Sequence, residues 1–390
     1  MRGLTICAAV LAAAGCGHAT AARKDAPAAA VAPPAPVGEP IAAPSAGERA
    51  RRLLDEALLA ASSTRKLDRA QDLVARFRAA AEAAPQSAPA LLDYAISLDR
   101  AGRVDEADAA YRRTAAAQGF PELRFAAAER LAALAVQRGD LAAARAAVDL
   151  ARAALPDGIE LLDLQARVAL ASGDPPGAQA AARAVLAREP QDVAALCTLA
   201  RANLLQGSAG TAKILAKRAE QADPDDAEPL IVQSEIARAA GEPAAELAAA
   251  RAAVAADESS SQAALILGRA LFERGLAGEA ADELYRAADL EPQCAVVRVA
   301  LGTVLAALDQ KPQAEEQLRL AARLAPRWAD PHLELARLKL GASDAKAALG
   351  EANVFLQLSP QAPPPGHPIH ALVQRCEEAL RTRAQASVVQ

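Results

Sequence analysis

Apolar and polar residues along most of this chain follow the 3.6-residue rhythm of amphipathic helices, and the helices come in pairs. The stretch QDVAALCTLARANLLQGSAGTAKILAKRAEQADP (Gln191–Pro224) shows the unit: an amphipathic run, a Gly-Ser-Ala-Gly turn, and a second amphipathic run. The unit recurs with a fixed period. Prolines stand at 156, 190, 224, 292, 326 and 360, always 34 or 68 residues apart, and Glu258 fills the one place where a proline is missing. Glycines keep the same beat at 139, 173, 207, 241 and 275.

Two columns of small residues run between these markers. One reads Ala132, Ala166, Ala200, Ser234, Gly268, Gly302 and Ala336; the other reads Ala144, Ala178, Ala212, Ala280, Ala314 and Ala348, broken by Glu246. A glycine between two helices supplies the left-handed turn that ends the first. Small residues let the two helices approach closely, and a proline after the second prevents it from continuing. The pattern predicts about nine units, starting near 54, 88, 125, 159, 193, 227, 261, 295 and 329. The step from 88 to 125 carries three extra residues near Gln118-Gly119-Phe120-Pro121, expected as an insertion in a connection. The turn glycine is replaced by Asp68, Asp309 and Ser343 in three units. After Pro360, QAPPPGHP breaks the period. Ile369, Leu372, Val373, Cys376 and Leu380 then share one helical face, which predicts a capping helix over the end of the array.

Composition sharpens the fold class. Apolar residues make up 53% of the chain but aromatics only 2%, and alanine supplies most of the difference. Alanine favours helix and buries little area, so the chain is all-α with closely packed helices rather than a β-rich core. The net charge of −5 is spread along the chain with no basic stripe, which leaves nucleic-acid binding without support. The cysteines at 7, 16, 197, 294 and 376 have neither disulfide-framework nor zinc spacing. Cys197 and Cys376 fall on apolar helix faces as small buried hydrophobes, whereas Cys294 follows the Glu291-Pro292 turn, where partial exposure is expected.

The 34-residue period with its small–Gly–Ala–Pro spacing resembles the tetratricopeptide repeat over about 54–362. The family's large aromatic positions are mostly Leu or Ala here, although Phe77, Tyr94 and Tyr111 remain. The resemblance implies a right-handed α-α superhelix (a solenoid) whose concave groove holds protein or peptide partners. It also implies that the residue after the first small column faces that groove. That column reads Arg167, Arg201, Glu235, Arg269, Thr303 and Arg337. Stacked arginines can grip carboxylates with two hydrogen bonds each. The same column also fits a solvated helix face in which Glu235 pairs with neighbouring arginines. The Lys and Asn columns of the family's chaperone-binding clamp hold Asp163, Cys197 and Ile231 instead, so that mode of recognition has no support.

No catalytic grouping, phosphate loop or metal site can be assembled. His367-Pro-Ile-His370 is too short and too constrained by proline for a metal, and no cofactor or small-molecule substrate is implied.

The N-terminus suggests where the array works. Arg2 precedes the apolar run Leu4–Ala14, shorter than the roughly 20 residues a span requires but suited to a secretory signal. Ala13-Ala14-Gly15-Cys16 resembles a bacterial lipobox, which implies cleavage before Cys16 and lipidation of its thiol; the usual leucine three residues before the cysteine is Ala13 here. The alternatives are ordinary signal cleavage near Ala19-Thr20-Ala21, with Cys16 discarded, or an Ala-rich start with no targeting role. Residues 17–46 are Ala/Pro-rich without periodicity, a semi-extended tether. The expected organisation is therefore a signal peptide at 1–15, a tether at 16–46, the array at 47–362 and a linker with capping helix at 363–390. The expected role is an adaptor or scaffold at the periplasmic side of a bacterial envelope membrane, assisting a pilus, secretion or outer-membrane assembly. A self-associating structural component, or a soluble periplasmic protein without the anchor, are the other readings.

Overall fold

The computed structural model of the chain describes residues 70–359 and 362–389. Cys16, the tether and the expected start of the first unit near 54 lie outside these residues. Among the described residues all regular structure is helical. The helices are α1 (Ala70–Ala83), α2 (Ala88–Arg100), α3 (Val104–Ala116), α4 (Pro121–Gln137), α5 (Leu141–Ala154) and α6 (Ile159–Ala171). They continue with α7 (Pro175–Arg188), α8 (Val193–Leu205), α9 (Ala209–Ala222), α10 (Ala227–Ala240), α11 (Pro243–Ala256) and α12 (Ser261–Glu273). The last six are α13 (Ala277–Leu290), α14 (Ala295–Ala307), α15 (Lys311–Leu324), α16 (Asp330–Gly341), α17 (Ala345–Leu358) and α18 (Pro368–Val389). Compact packing divides the described residues at 130/131, inside α4.

In residues 70–130, α1 packs on α2 and α2 on α3. Leu91, Leu98 and Tyr111 are fully buried. The Tyr111 hydroxyl donates to Asp99 Oδ2 at 3.2 Å, and Arg130 Nε reaches the same oxygen at 2.6 Å. The insertion forms the connection from α3 to α4, with Gly119 and Phe120 both left-handed (φ 70° and 48°). Here α4 begins at Pro121, ahead of the unit start expected at 125, because proline is pre-set for the first helical position.

Residues 131–389 repeat one packing rule. Every turn glycine of the sequence column is left-handed, from Gly173 at φ 66° to Gly275 at φ 78°. Asp309 (φ 59°) and Ser343 (φ 63°) take the same conformation without being glycine. The following N–H then returns to the helix, as when Glu242 donates to Ala237 O at 2.9 Å and Gln310 to Leu305 O at 2.9 Å. Across each turn the two small columns meet. An added Cβ on Gly268 would lie 3.2 Å from Ala280 O, and one on Gly302 would lie 3.2 Å from Ala314 O. In the unit broken by Glu246, Ser234 Oγ donates to the Glu246 carbonyl at 3.1 Å.

Each first helix also touches the first helix of the next pair, along α6, α8, α10, α12, α14 and α16, whereas successive second helices do not pack to that extent. The closer row is the inside of a curve, so the first helices line its concave face. The curve brings distant segments together: Arg327 Nη1 lies 2.9 Å from Asp140 Oδ1, and the Gly139 turn abuts the Arg327–Trp328 backbone. At the far end, α18 lies on α17 and α16, with Ile369 and Cys376 fully buried. Cys294 is buried too, contrary to its expected partial exposure, because the helix starting at Ala295 turns it into the core shared by α12–α14.

Candidate partner-binding groove

The arginine column rides on the inner row of helices, and its members have different surroundings. Arg167, on α6, is half-buried and donates from Nε to Asp163 Oδ2 at 2.9 Å, one turn back on the same helix. Arg337, on α16, is exposed and reaches Glu334 at 2.5 Å, also one turn back. Both pairs are local neutralisation within one helix.

Arg201, on α8, is 4% exposed and bound from the next inner helix. Its Nε donates to Glu235 Oε2 at 2.8 Å and its Nη2 to Glu235 Oε1 at 3.2 Å, while Nη1 donates to Glu228. Glu228 and Glu235 stand two turns apart on α10, so both carboxylates project from one face and close on a single guanidinium. Burial pulls the Arg201 guanidinium down, but Glu228 and then Glu235 more than offset it and hold it well above its ordinary value. The nearby Cys197 thiol is pushed well up by burial first and by Glu228 second.

Arg269, on α12, occupies the same column one unit on and has no ion pair or hydrogen bond among the described residues. Its neighbour Arg238 is already taken by Glu273 at 3.1 Å. Burial, and after it repulsion from Arg238, lowers the Arg269 guanidinium to about 10, a drop that Glu273, Glu235 and Glu246 counter only in part. Glu246 faces the same region from α11. It is 3% exposed, and burial, with Glu273 behind it, raises its carboxyl to about 7. Two turns before Arg269, Gln262 is 5% exposed and its Nε2 has no hydrogen-bond partner.

Of the residues expected at the groove, only Arg201 and Glu235 are brought together; Arg167 and Arg337 pair locally and Arg269 stands apart. Glu228, Arg238, Gln262 and Glu273 complete the surface. The signal that would have found them is helical spacing from this column: Glu228 and Gln262 lie two turns before Glu235 and Arg269, and Arg238 and Glu273 lie one turn after them. Elsewhere, His367 stacks on Phe355 at 5.5 Å and its Nδ1 accepts from the Ile369 N–H at 3.2 Å, while His370 Nε2 meets Pro363 O at 3.2 Å. The two histidines are thus engaged within the C-terminal packing.

No protein-family model and no curated protein matches the sequence. Solved structures do match. The Cut9–Hcn1 hetero-tetramer of the APC/C is similar with a TM-score of 0.52 and 15% identity, over 85% of this chain and 62% of that one. A tetratricopeptide repeat protein from Parabacteroides merdae matches with a TM-score of 0.44 and 13% identity, over 65% of this chain and 98% of that one. Pseudomonas aeruginosa PilF matches with a TM-score of 0.43 and 23% identity, over 52% of this chain and 90% of that one. At these identities the likeness concerns fold. The chain has the tetratricopeptide-repeat fold, an all-α solenoid of consecutively packed helix pairs.

Proposed function

We propose that this tetratricopeptide-repeat solenoid is a protein-interaction scaffold that holds an extended segment of a partner protein against its inner row of first helices. The observation that carries the reading is the polar furnishing of that row. Buried charges and hydrogen-bonding groups are concentrated at Arg201, Glu235 and Gln262, with the partly buried Arg269 beside them, where a purely structural array needs only apolar packing. We infer further, from the lipobox-like Ala13-Ala14-Gly15-Cys16 and the Ala/Pro-rich segment behind it, that the scaffold is exported and tethered at an envelope membrane through Cys16, where it assists assembly of an envelope machine.

Site-specific photo-crosslinking in cells tests the scaffold reading. A photoreactive residue at Arg337, exposed on the inner row, is compared with one at Ile214, which is 72% exposed on the second helix α9. Partner proteins captured from Arg337 and not from Ile214 support the groove. Equal capture from both positions, or capture of other copies of this chain alone, overturns it, the latter in favour of a self-associating component. Metabolic labelling with a fatty acid in the wild type and in Cys16→Ala tests the anchor separately. An unlabelled wild-type chain would remove it.

A further inference from the structure

The inner faces of α10 and α12 are built on the same plan with opposite polarity. On α10, Glu228 and Glu235 stand two turns apart and converge on one planar cation, the Arg201 guanidinium. One repeat later, Gln262 and Arg269 occupy the corresponding places on α12. Seven residues on a helix return to nearly the same direction after a rise of about 10 Å, so the second pair shares one face as the first does. The acceptors of α10 are replaced by donors. Gln262 Nε2 is buried without a partner, and Arg269 has no hydrogen bond or ion pair among the described residues.

We propose that Gln262 and Arg269 together form a receptor for one carboxylate, supplied by an aspartate or glutamate side chain of an extended partner segment lying in the groove; the proposal rests on the scaffold reading above. A planar carboxylate has the fork geometry that an arginine pairs with twice, and it keeps lone pairs for the Gln262 amide. It is the planar counterpart of the guanidinium that α10 grips at the same spacing. The surrounding charges leave room for it. Glu273 is held by Arg238, Glu235 by Arg201, and the Glu246 carboxyl, at about 7, is largely protonated in mildly acidic solution. An internal side chain fits better than a chain end, because the inner row continues on both sides of Arg269, to Glu235 and to Thr303.

The test uses the full chain at pH 6 with three blocked or free heptapeptides of alanine and valine carrying a neutral dye. The first has one central glutamate and blocked ends, the second glutamine in its place, and the third no acidic side chain but a free C-terminal carboxylate. Affinities are read by fluorescence anisotropy for the wild type, Arg269→Thr and Gln262→Leu. Threonine is chosen because Thr303 holds the same column position one repeat on, and an unchanged unfolding midpoint confirms folding. The glutamate peptide is expected to bind the wild type at least about tenfold tighter than the glutamine peptide. Arg269→Thr should abolish that preference without weakening the glutamine peptide further, and Gln262→Leu should reduce it. Equal binding of the two blocked peptides, no binding of either, or a preference that survives Arg269→Thr overturns the proposal. So does stronger binding of the free-end peptide, which would make the receptor one for chain termini. Failure here with inner-row crosslinking intact removes this receptor and leaves the scaffold.

Discussion

Arg201 and Glu235 stand one repeat apart in sequence and are joined by two hydrogen bonds, at 2.8 and 3.2 Å, with both side chains almost wholly buried. Glu228 binds the same guanidinium, so the pair is a bolt between successive inner helices. Removing a buried charge's partner costs far more than the pair's net worth, because the remaining charge is stranded. Arg201→Met leaves two carboxylates facing each other and should lower unfolding stability by about 3–5 kcal/mol in urea titrations. Arg337→Ala breaks only an exposed pair within one helix and should change it by less than about 0.5 kcal/mol. Similar losses from both variants would mean that the buried bolt has no special weight.

Gly268 and Leu284 form a size-matched pair. A Cβ on Gly268 would come within 2.7 Å of Leu284 Cγ, and the same holds for Gly302 and Leu318 Cγ. Sixteen residues after the small column, units with Ala166, Ala200 and Ala336 carry Ala182, Ala216 and Ala352 instead of leucine. Glycine therefore appears where its partner is large. Gly268→Ala gains about 1 kcal/mol of helix propensity but forces the close contact, for a net loss of about 1–2 kcal/mol. In a Leu284→Ala background the contact is gone and the same substitution should stabilise. A double-mutant cycle in denaturant reads the change of sign; the same sign in both backgrounds would refute the matching.

The repeat was legible in the sequence because each column answers a local demand. Left-handed turns call for Gly139, Gly173, Gly207, Gly241 and Gly275, and close helix approach calls for Ala166 or Gly268. Asp309 and Ser343 were visible as departures, and they adopt the same turn because short polar residues tolerate the left-handed region. The pairing of Arg201 with Glu235 lay in the column itself, one period apart. What local pattern does not encode is how far a long side chain reaches between helices, and this separates the gripped Arg201 from the unpaired Arg269. Nor does it encode accumulated curvature, so the meeting of Asp140 with Arg327 had no sequence marker.

Asp140 has two jobs that mutation can separate. Its carboxylate caps α5 by accepting from the Ala143 N–H at 3.1 Å, and it also faces Arg327 across the curve. A helix cap contributes about 1 kcal/mol, whereas an ion pair whose arginine is mostly exposed contributes little. Asp140→Ala should therefore cost about 1 kcal/mol, Arg327→Ala less than about 0.5 kcal/mol, and Asp140→Asn, which keeps the cap, close to nothing. Thermal unfolding ranks the three. If Arg327→Ala equalled Asp140→Ala, the contact across the curve would be the stabilising element instead of the cap.

Glu246 makes stability depend on pH with an unusual sign. It breaks a column whose other members, Ala144, Ala178, Ala212, Ala280, Ala314 and Ala348, are fully buried, and burial raises its carboxyl from 4.5 to about 7. A raised carboxyl binds its proton more tightly in the folded chain than in the unfolded one. Between these two values folding takes up a proton, so this group's contribution is most favourable below about pH 4.5 and declines as pH rises through 7. The full penalty at pH 8 is at most about 3 kcal/mol. Glu246→Gln removes the ionisation and should be more stable than the wild type at pH 8, with the gap narrowing toward pH 5. Glu246→Ala restores the column and should show the same pH-dependent gap on top of a constant packing difference. Urea unfolding of the three proteins from pH 5 to pH 8 measures it. Parallel curves across that range would show that the Glu246 carboxylate is solvated in the folded chain.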